Sequence, residues 1–300
     1  MALIDVVIPT YNGLPFLPEA IATALDQTCA PAHVFVVDDG STDATRDVVT
    51  QLEDTRIEYI HKARGGPSSA RNTGIRASSA PYVALLDSDD RWYPDKLERQ
   101  LQVLETSSEI ALVHGYQHTI DEEGRVVGDL KHDLRGRVFD KLLAGNVVTG
   151  SDSMVLLRRA ALDRVGLFRE DLVVGEDWEL WLRLAHKYSF DYVPDHLAAI
   201  RAREGLQSDR ERVAVNLVRV YDVVGSSVPL RRRQRATLAS ACLGIAAYDY
   251  ALADHPERSF ATLWRLLRVS PLAVFRMHMV GFYLHFVIHV LRGGRRNVTQ

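Results

Sequence analysis

The stretch YVALLDSDDRWYPDKLE, Tyr82–Glu98, decides how this chain is read. Its first residues, Val83 to Leu86 among them, have the continuous apolar character of a buried strand. Three carboxylates then follow within four positions, at Asp87, Asp89 and Asp90. Each resists ionising beside the others. Either a positive partner belongs there, or the cluster is a solvated turn that caps a helix at YPDKLERQ.

Upstream, two periodicities alternate. LIDVVIP (Leu3–Pro9) and HVFVVDDG (His33–Gly40) are short apolar runs that read as strands, and RIEYIH (Arg56–His61) reads as a third. Between them, LPFLPEAIATALDQ places Phe16, Ala20, Ile21, Ala24 and Leu25 at helical spacing. STDATRDVVTQL opens on an N-cap candidate, Ser41 or Thr42, and SSARNTGIRAS reads as a further helix. Strands alternating with helices predict a parallel α/β sheet, and continuous rather than alternating apolarity predicts helices on both of its faces.

Downstream the pattern changes. IALVHGYQHTI and RVVGDL flank a turn at Asp121–Gly124 and predict a hairpin. SDSMVLLRRAAL predicts a strand running into a helix. EDWELWLRLAHK is helical, with Trp178, Trp181, Leu182 and Ala185 on one face. FDYVP and LAAIR read as two short strands. From about Gly205 the pattern is helical only, which predicts two regions, residues 1–204 and 205–300.

Charge divides the chain in the same way. From Arg201 onward there are 16 Lys and Arg against 7 Asp and Glu, a balance of +9. The part before it holds 36 − 16 = 20 basic and 39 − 7 = 32 acidic residues, a balance of −12. The overall charge of −3 gives no reason to expect a nucleic-acid partner. Two cysteines, Cys29 and Cys242, make neither a disulfide framework nor a metal pair. With no signal-like N-terminus, a reducing, cytoplasmic location is the expectation.

In an open parallel sheet, ligands bind beyond the carboxyl ends of the strands. Three polar clusters fall at such ends: Pro9-Thr10-Tyr11-Asn12, Asp38-Asp39-Gly40-Ser41 and Asp87-Ser88-Asp89-Asp90. Any one is explained as a turn or cap. Together they suit a divalent cation, Mg²⁺ or Mn²⁺, held by carboxylates and substrate phosphates.

Three segments, VVIPTYNGLPFLPEAIATALDQT…VFVVDDGSTDAT, GGPSSARNTGIRASSAPYVALLDSDDRWYPDKLE and GLFREDLVVGEDWELWLRLA, make the chain resemble family 2 glycosyltransferases of the GT-A fold over about residues 3–205. The resemblance implies a Rossmann-like, mostly parallel sheet with flanking helices, and leaves a C-terminal all-helical region outside it. It implies that Pro9, Thr10 and Tyr11 line the base and ribose pocket, that Asp39 binds the nucleoside, most often uridine, and that Arg71 reaches the base or diphosphate. Asp87, Ser88 and Asp89 would be the DxD motif, with Asp89 and Asp87 on Mn²⁺ or Mg²⁺ and Asp90 orienting Asp89 or the donor sugar. Glu176 and Asp177 open the GEDWELW helix, where the dipole favours acids. The resemblance makes Asp177 the general base of an inverting transfer from a nucleoside-diphosphate sugar to a glycan or lipid-linked acceptor. A dipole there would keep Asp177 ionised at some loss of basicity. Trp178 either walls the sugar site or packs in the core.

One departure is visible. Where relatives carry a histidine after the last strand, IRAREG has Arg203, which pairs with phosphate but cannot ligate a cation. A nucleotidyltransferase on a similar fold, or an inactive glycan-binding scaffold, is the competing reading; the Asp39, Asp89 and Asp177 set argues against the scaffold. At the far end, MHMVGFYLHFVIHVL (Met277–Leu291) is apolar, flanked by arginines and shorter than the ~20 residues a spanning helix needs. It predicts a bundle or homodimer contact, or an amphipathic helix on the inner face of an anionic membrane.

Overall fold

The computed structural model describes residues 3–148, 150–202 and 209–271. Arg203 and the apolar Met277–Leu291 segment lie outside them. The chain divides into two compact units, one of Met1–Leu142 with Asn146–Ala202, the other of Leu143–Gly145 with the chain after Ala202.

The first unit is built on β1 (Ile4–Thr10), β2 (His33–Asp38), β3 (Ile57–His61) and β4 (Tyr82–Leu85). These pair in parallel in the order β3-β2-β1-β4. Every residue of β1 is buried, as an apolar run covered on both faces requires. Ile4, Val6 and Ile8 pack with Leu17, Ala20, Ile21 and Ala24 of α1 (Leu17–Leu25). On the opposite face, α3 (Pro67–Ala77) comes so close at Gly74 that a Cβ there would stand 2.4 Å from Val7 Cγ1. Only glycine fits that approach.

Beyond β4 the sheet reverses. β8 (Leu156–Arg158) pairs antiparallel to β4 and to β6 (Ile110–Ile120). β6 forms the expected hairpin with β7 (Val126–Leu130) and pairs in parallel with β9 (Ser189–Arg201). The short β5 (Arg91–Trp92) closes the edge against β9. FDYVP and LAAIR are thus one strand rather than two. Pro194 has no N–H for the ladder. The register accordingly jumps there, from Val193 opposite Gly115 to His196 opposite Tyr116, while the strand continues.

α2 (Thr45–Thr50) begins later than the sequence suggests, with Ala44 in the cap position. The Ser41 and Thr42 amides instead donate to Asp38 Oδ1 at 2.7 Å and to Asn12 Oδ1 at 2.8 Å, which ties the ends of β1 and β2 together. α4 (Lys96–Leu104), α5 (Phe139–Leu142), α6 (Arg159–Val165) and α7 (Glu176–Lys187) complete the unit.

The second unit, where described, is helical: α8 (Arg210–Ser227), α9 (Arg232–Leu252) and α10 (Pro256–Val269). Asp209 caps α8 by accepting the Arg212 amide at 3.0 Å. Ala239, Ala246 and Ala247 are buried on α9, and Ser259 of α10 donates to the Ala247 carbonyl at 2.7 Å. Among the described residues, no helix is long and apolar enough to cross a membrane.

Candidate active site

The carboxyl ends of β1, β2 and β4 make the rim on which the site stands. The chain after β1 must turn at once to enter α1. Asn12 adopts a left-handed conformation, and a Cβ on Gly13 would meet Thr10 Oγ1 at 2.3 Å and Ser88 Oγ at 3.3 Å. The YNG turn therefore lies directly against the Asp87–Asp90 loop. Thr10 is buried, and its hydroxyl has no hydrogen-bond partner among the described residues. Tyr11 is exposed, with the Arg64 guanidinium 3.6 Å above its ring. Asp39 is buried and takes three hydrogen bonds, from Lys62 Nζ at 2.6 Å, Gly65 N at 2.8 Å and Gly66 N at 2.7 Å. It thereby anchors the glycine loop that leads into α3.

Of the acids after β4, Asp87 has a positive partner, one of the two outcomes that the sequence left open. Arg71, on the buried face of α3, donates from Nη2 to Asp87 Oδ1 at 2.8 Å. The same nitrogen lies 3.0 Å from Asp152 Oδ2, and Nη1 lies 3.4 Å from Glu176 Oε1. Burial works against the guanidinium charge, but Asp152, Asp87 and Glu176 outweigh it and hold Arg71 protonated. One buried cation thus faces three acids brought from three other segments. Burial raises Asp152 well above the usual carboxylate range, and pushes Glu176 up to about 7 with Asp177 adding to it.

Asp90 is buried apart from this cluster's centre. It accepts Arg201 N at 2.9 Å, Ser151 Oγ at 2.9 Å and Ser153 Oγ at 2.5 Å. Arg201 Nε also reaches the Asp89 carbonyl, at 3.0 Å. Burial, then Asp87 and Asp89, push Asp90 up to about 7. It fixes the loop's shape, while Ser88 and Asp89 are only half-buried on it.

Asp177 stands in the first turn of α7, after Gly175 in the left-handed region. Its Oδ1 accepts the Trp178 amide at 2.6 Å and its Oδ2 accepts Asn146 Nδ2 at 2.6 Å. Burial raises its pKa. The sequence reading expected the helix dipole to reduce basicity, and desolvation, which acts in the opposite direction, is the larger effect. Trp178 is turned into the core, 5% exposed, and its indole N–H donates to the Leu142 carbonyl at 2.7 Å.

Arg71, Asp87 and Glu176 therefore meet in one cluster, with Asp177 following Glu176 on α7, Ser88 and Asp89 following Asp87 on its loop, and Thr10 beside that loop. Asp39 sits along the rim with its own loop, and Trp178 lies beneath the helix. The sequence reading missed Asp152, Ser151, Ser153, Asn146 and Lys62. GSDSM carries a local signal, two serines around an acid after a glycine, but it was absorbed into the predicted strand; the structure makes Asp152–Met154 a single 3₁₀ turn. The Arg71 guanidinium occupies the space among Asp87, Asp152 and Glu176, and the oxygens beside it are of the type a hard divalent cation takes. The cluster's acidic donors are all carboxylates, and the buried Asp152 Oδ1 accepts no hydrogen bond among the described residues.

A strand-end rim of this kind, on a sheet that turns antiparallel after β4, is the GT-A glycosyltransferase architecture, and the comparisons agree. The profile of glycosyl transferase family 2 matches residues 5–166, more than half of the chain, and the chain belongs to that family. It is 34% identical over 225 residues to an uncharacterized glycosyltransferase of Rickettsia conorii, covering 74% of this chain but 37% of that protein. It is 29% identical over 233 residues, 77% of this chain and 89% of the other, to the Escherichia coli UDP-Glc:alpha-D-GlcNAc-diphosphoundecaprenol beta-1,3-glucosyltransferase WfgD. Staphylococcus aureus TarS 1–349, solved with UDP-GlcNAc, superposes with a TM-score of 0.67 at 18% identity, over 89% of this chain and 81% of that one. The mannosyltransferase PcManGT of Pyrobaculum calidifontis, solved with GDP-Man and Mn²⁺, gives 0.59 at 20% identity, over 96% and 87%. At those identities the two structures establish the fold alone.

Proposed function

We propose that this chain is an inverting glycosyltransferase that moves a sugar from a nucleoside-diphosphate sugar, a UDP-sugar first, to an acceptor hydroxyl in cell-surface glycan assembly. The observation that carries the reading is Asp177. It is a carboxylate of raised basicity, held at a helix start by Asn146, beside Glu176 of the Arg71 cluster. Asn146 and the Trp178 amide fix both of its oxygens, and a fixed carboxylate is what proton removal from an acceptor hydroxyl needs. The attacking oxygen then displaces the nucleoside diphosphate from the anomeric carbon, and one displacement inverts that centre.

The other residues divide the donor. Tyr11 offers an exposed ring for the base, Pro9 and Thr10 the pocket floor, and Asp39 the nucleoside contact, by way of the glycine loop it anchors. Asp89 and Asp87 would hold the divalent cation, which when bound supplies Lewis-acid stabilisation of the departing diphosphate. Arg71 holds Asp87 in place, and Asp90 the loop. WfgD's lipid-diphosphate acceptor supports an acceptor of the same kind, and Arg203 remains a candidate phosphate partner.

Asp177→Asn tests the reading. Turnover should fall by at least ~10²-fold with donor affinity preserved, while NMR of the wild-type product shows an inverted anomeric centre. Retained configuration, or a loss confined to donor affinity, rejects the assignment. Asp89→Asn should abolish the part of the activity that Mn²⁺ stimulates.

A further inference from the structure

Away from the Arg71 cluster, three strands carry a second group of ligand-bearing side chains. His118 on β6 stands opposite Asp129 on β7, and opposite Ala199 on β9. His196 stands opposite Tyr116, two residues before His118, so all three side chains share one face of the sheet. One ring nitrogen of each histidine and one carboxylate oxygen of Asp129 lie within 4.8 Å of one another. His196 Nε2 is 2.5 Å from Asp129 Oδ1, and the two imidazoles stack with centroids 4.0 Å apart, tilted by 7°.

We propose that His118, Asp129 and His196 form a second metal site, selective for a transition-metal cation of the zinc class and separate from the carboxylate cluster of the donor site. Two imidazoles and one carboxylate are a set that zinc takes and magnesium does not. Both histidines are half-buried, Asp129 is exposed, and each has a neighbour that fixes which atom faces the others. The Tyr93 hydroxyl lies 2.7 Å from His118 Nδ1, so Nδ1–H donating to it leaves Nε2 with a lone pair for the metal. Lys131 pairs with Asp129 Oδ2 at 2.8 Å and leaves Oδ1 facing His196. Donors around a tetrahedral zinc stand about 3.3 Å apart, so His196 Nε2 and Asp129 Oδ1 must part from 2.5 Å and the stacked, half-buried rings must turn until their lone pairs converge.

The site would clip β7, β6 and β9 together. Five residues along β9 from His196, Arg201 holds the Asp89–Asp90 loop through Asp90 Oδ1 and the Asp89 carbonyl. The metal thus acts as a structural staple whose strand leads to the donor site, with water completing its coordination.

Cobalt titration of the full, chelator-treated chain tests this. One equivalent of Co²⁺ should give the visible bands of a nitrogen-ligated, low-coordinate ion, Zn²⁺ should abolish them, and Zn²⁺ should raise Tm. The bands should persist in Asp89→Asn and disappear in His118→Ala and in His196→Gln, with unchanged circular dichroism. Absence of bands in the wild-type protein overturns the proposal without any variant. Bands that survive both histidine changes, or that vanish in Asp89→Asn, overturn it equally.

Discussion

Replacing Arg71 with methionine removes the buried cation that Asp152 and the half-buried Asp87 and Glu176 share. Asp87, Asp152 and Glu176 then lose partners at 2.8, 3.0 and 3.4 Å, while methionine fills most of the volume and adds no charge. Breaking a buried ion pair by deleting one partner costs about 3–5 kcal/mol. At about 2–4 °C per kcal/mol for a domain of this size, Tm should fall by about 6–20 °C. The cost also has a pH signature. In the folded wild type Glu176 already sits up at about 7 and Asp152 well above its ordinary range. Without Arg71 both move higher still. An acid whose folded pKa exceeds its unfolded one binds more protons folded than unfolded, so its cost is absent below the unfolded pKa and complete above the folded one. The Tm gap should therefore be small near pH 4–5 and widest above about pH 8. Scanning calorimetry in EDTA across that range is the assay. A gap under about 2 °C at the alkaline end, or one that does not change with pH, refutes the claim that Arg71 neutralises this cluster.

Trp178→Phe should lower stability by about 1–3 kcal/mol, because the buried Leu142 carbonyl loses its donor, yet leave turnover within about twofold. A collapse of turnover with stability intact would return Trp178 to the sugar site. Lys96 is fully buried, with its ammonium nitrogen 2.7 Å from Gln100 Oε1 and 4.1 Å above the Trp92 ring. The cation–π gain of about 2 kcal/mol is smaller than a desolvation cost of several, and burial sets its pKa well below the ordinary value. The unfolded chain then binds the extra proton up to about pH 10, so wild-type stability should rise with pH relative to Lys96→Met by as much as ~1.4 kcal/mol per unit; parallel urea midpoints from about pH 7 to 10 would refute this. Gly74→Val should destabilise strongly, since even its Cβ meets Val7 at 2.4 Å.

The parallel half of the sheet was legible because β1, β2 and β4 are continuous apolar runs with helical periods between strands, while the edge strand β3 alternates and is only half-buried. The same reading placed Asp39, Asp87 and Asp89 at strand ends without further information. It could not place Asp152 or Asn146, whose importance lies in partners at Arg71 and Asp177 that local pattern does not reveal. Nor could it foresee that Arg71 would face acids of its own chain, because helical spacing marks Arg71 only as one position among several on α3. Reading β9 as two strands failed for a local reason: Pro194 signals a missing donor but not whether the chain runs on past it. The helix dipole at Asp177 was correctly located and given too much weight against burial.

Synthesis order adds something that the finished fold conceals. Arg71 and Glu176 are separated by 105 residues. At about 5–20 residues per second, a ribosome takes roughly 5–20 s to deliver the second after the first. Asp152 follows Arg71 by 152 − 71 = 81 residues, so for most of that interval the nascent chain's arginine has Asp87 and neither of its other two acids. Closing α3 over an under-neutralised guanidinium is unfavourable, which favours completing the site late over burying it early. A chain that ends before Asp152 keeps Arg71 with one acid of the three, which raises the cost of burying its guanidinium.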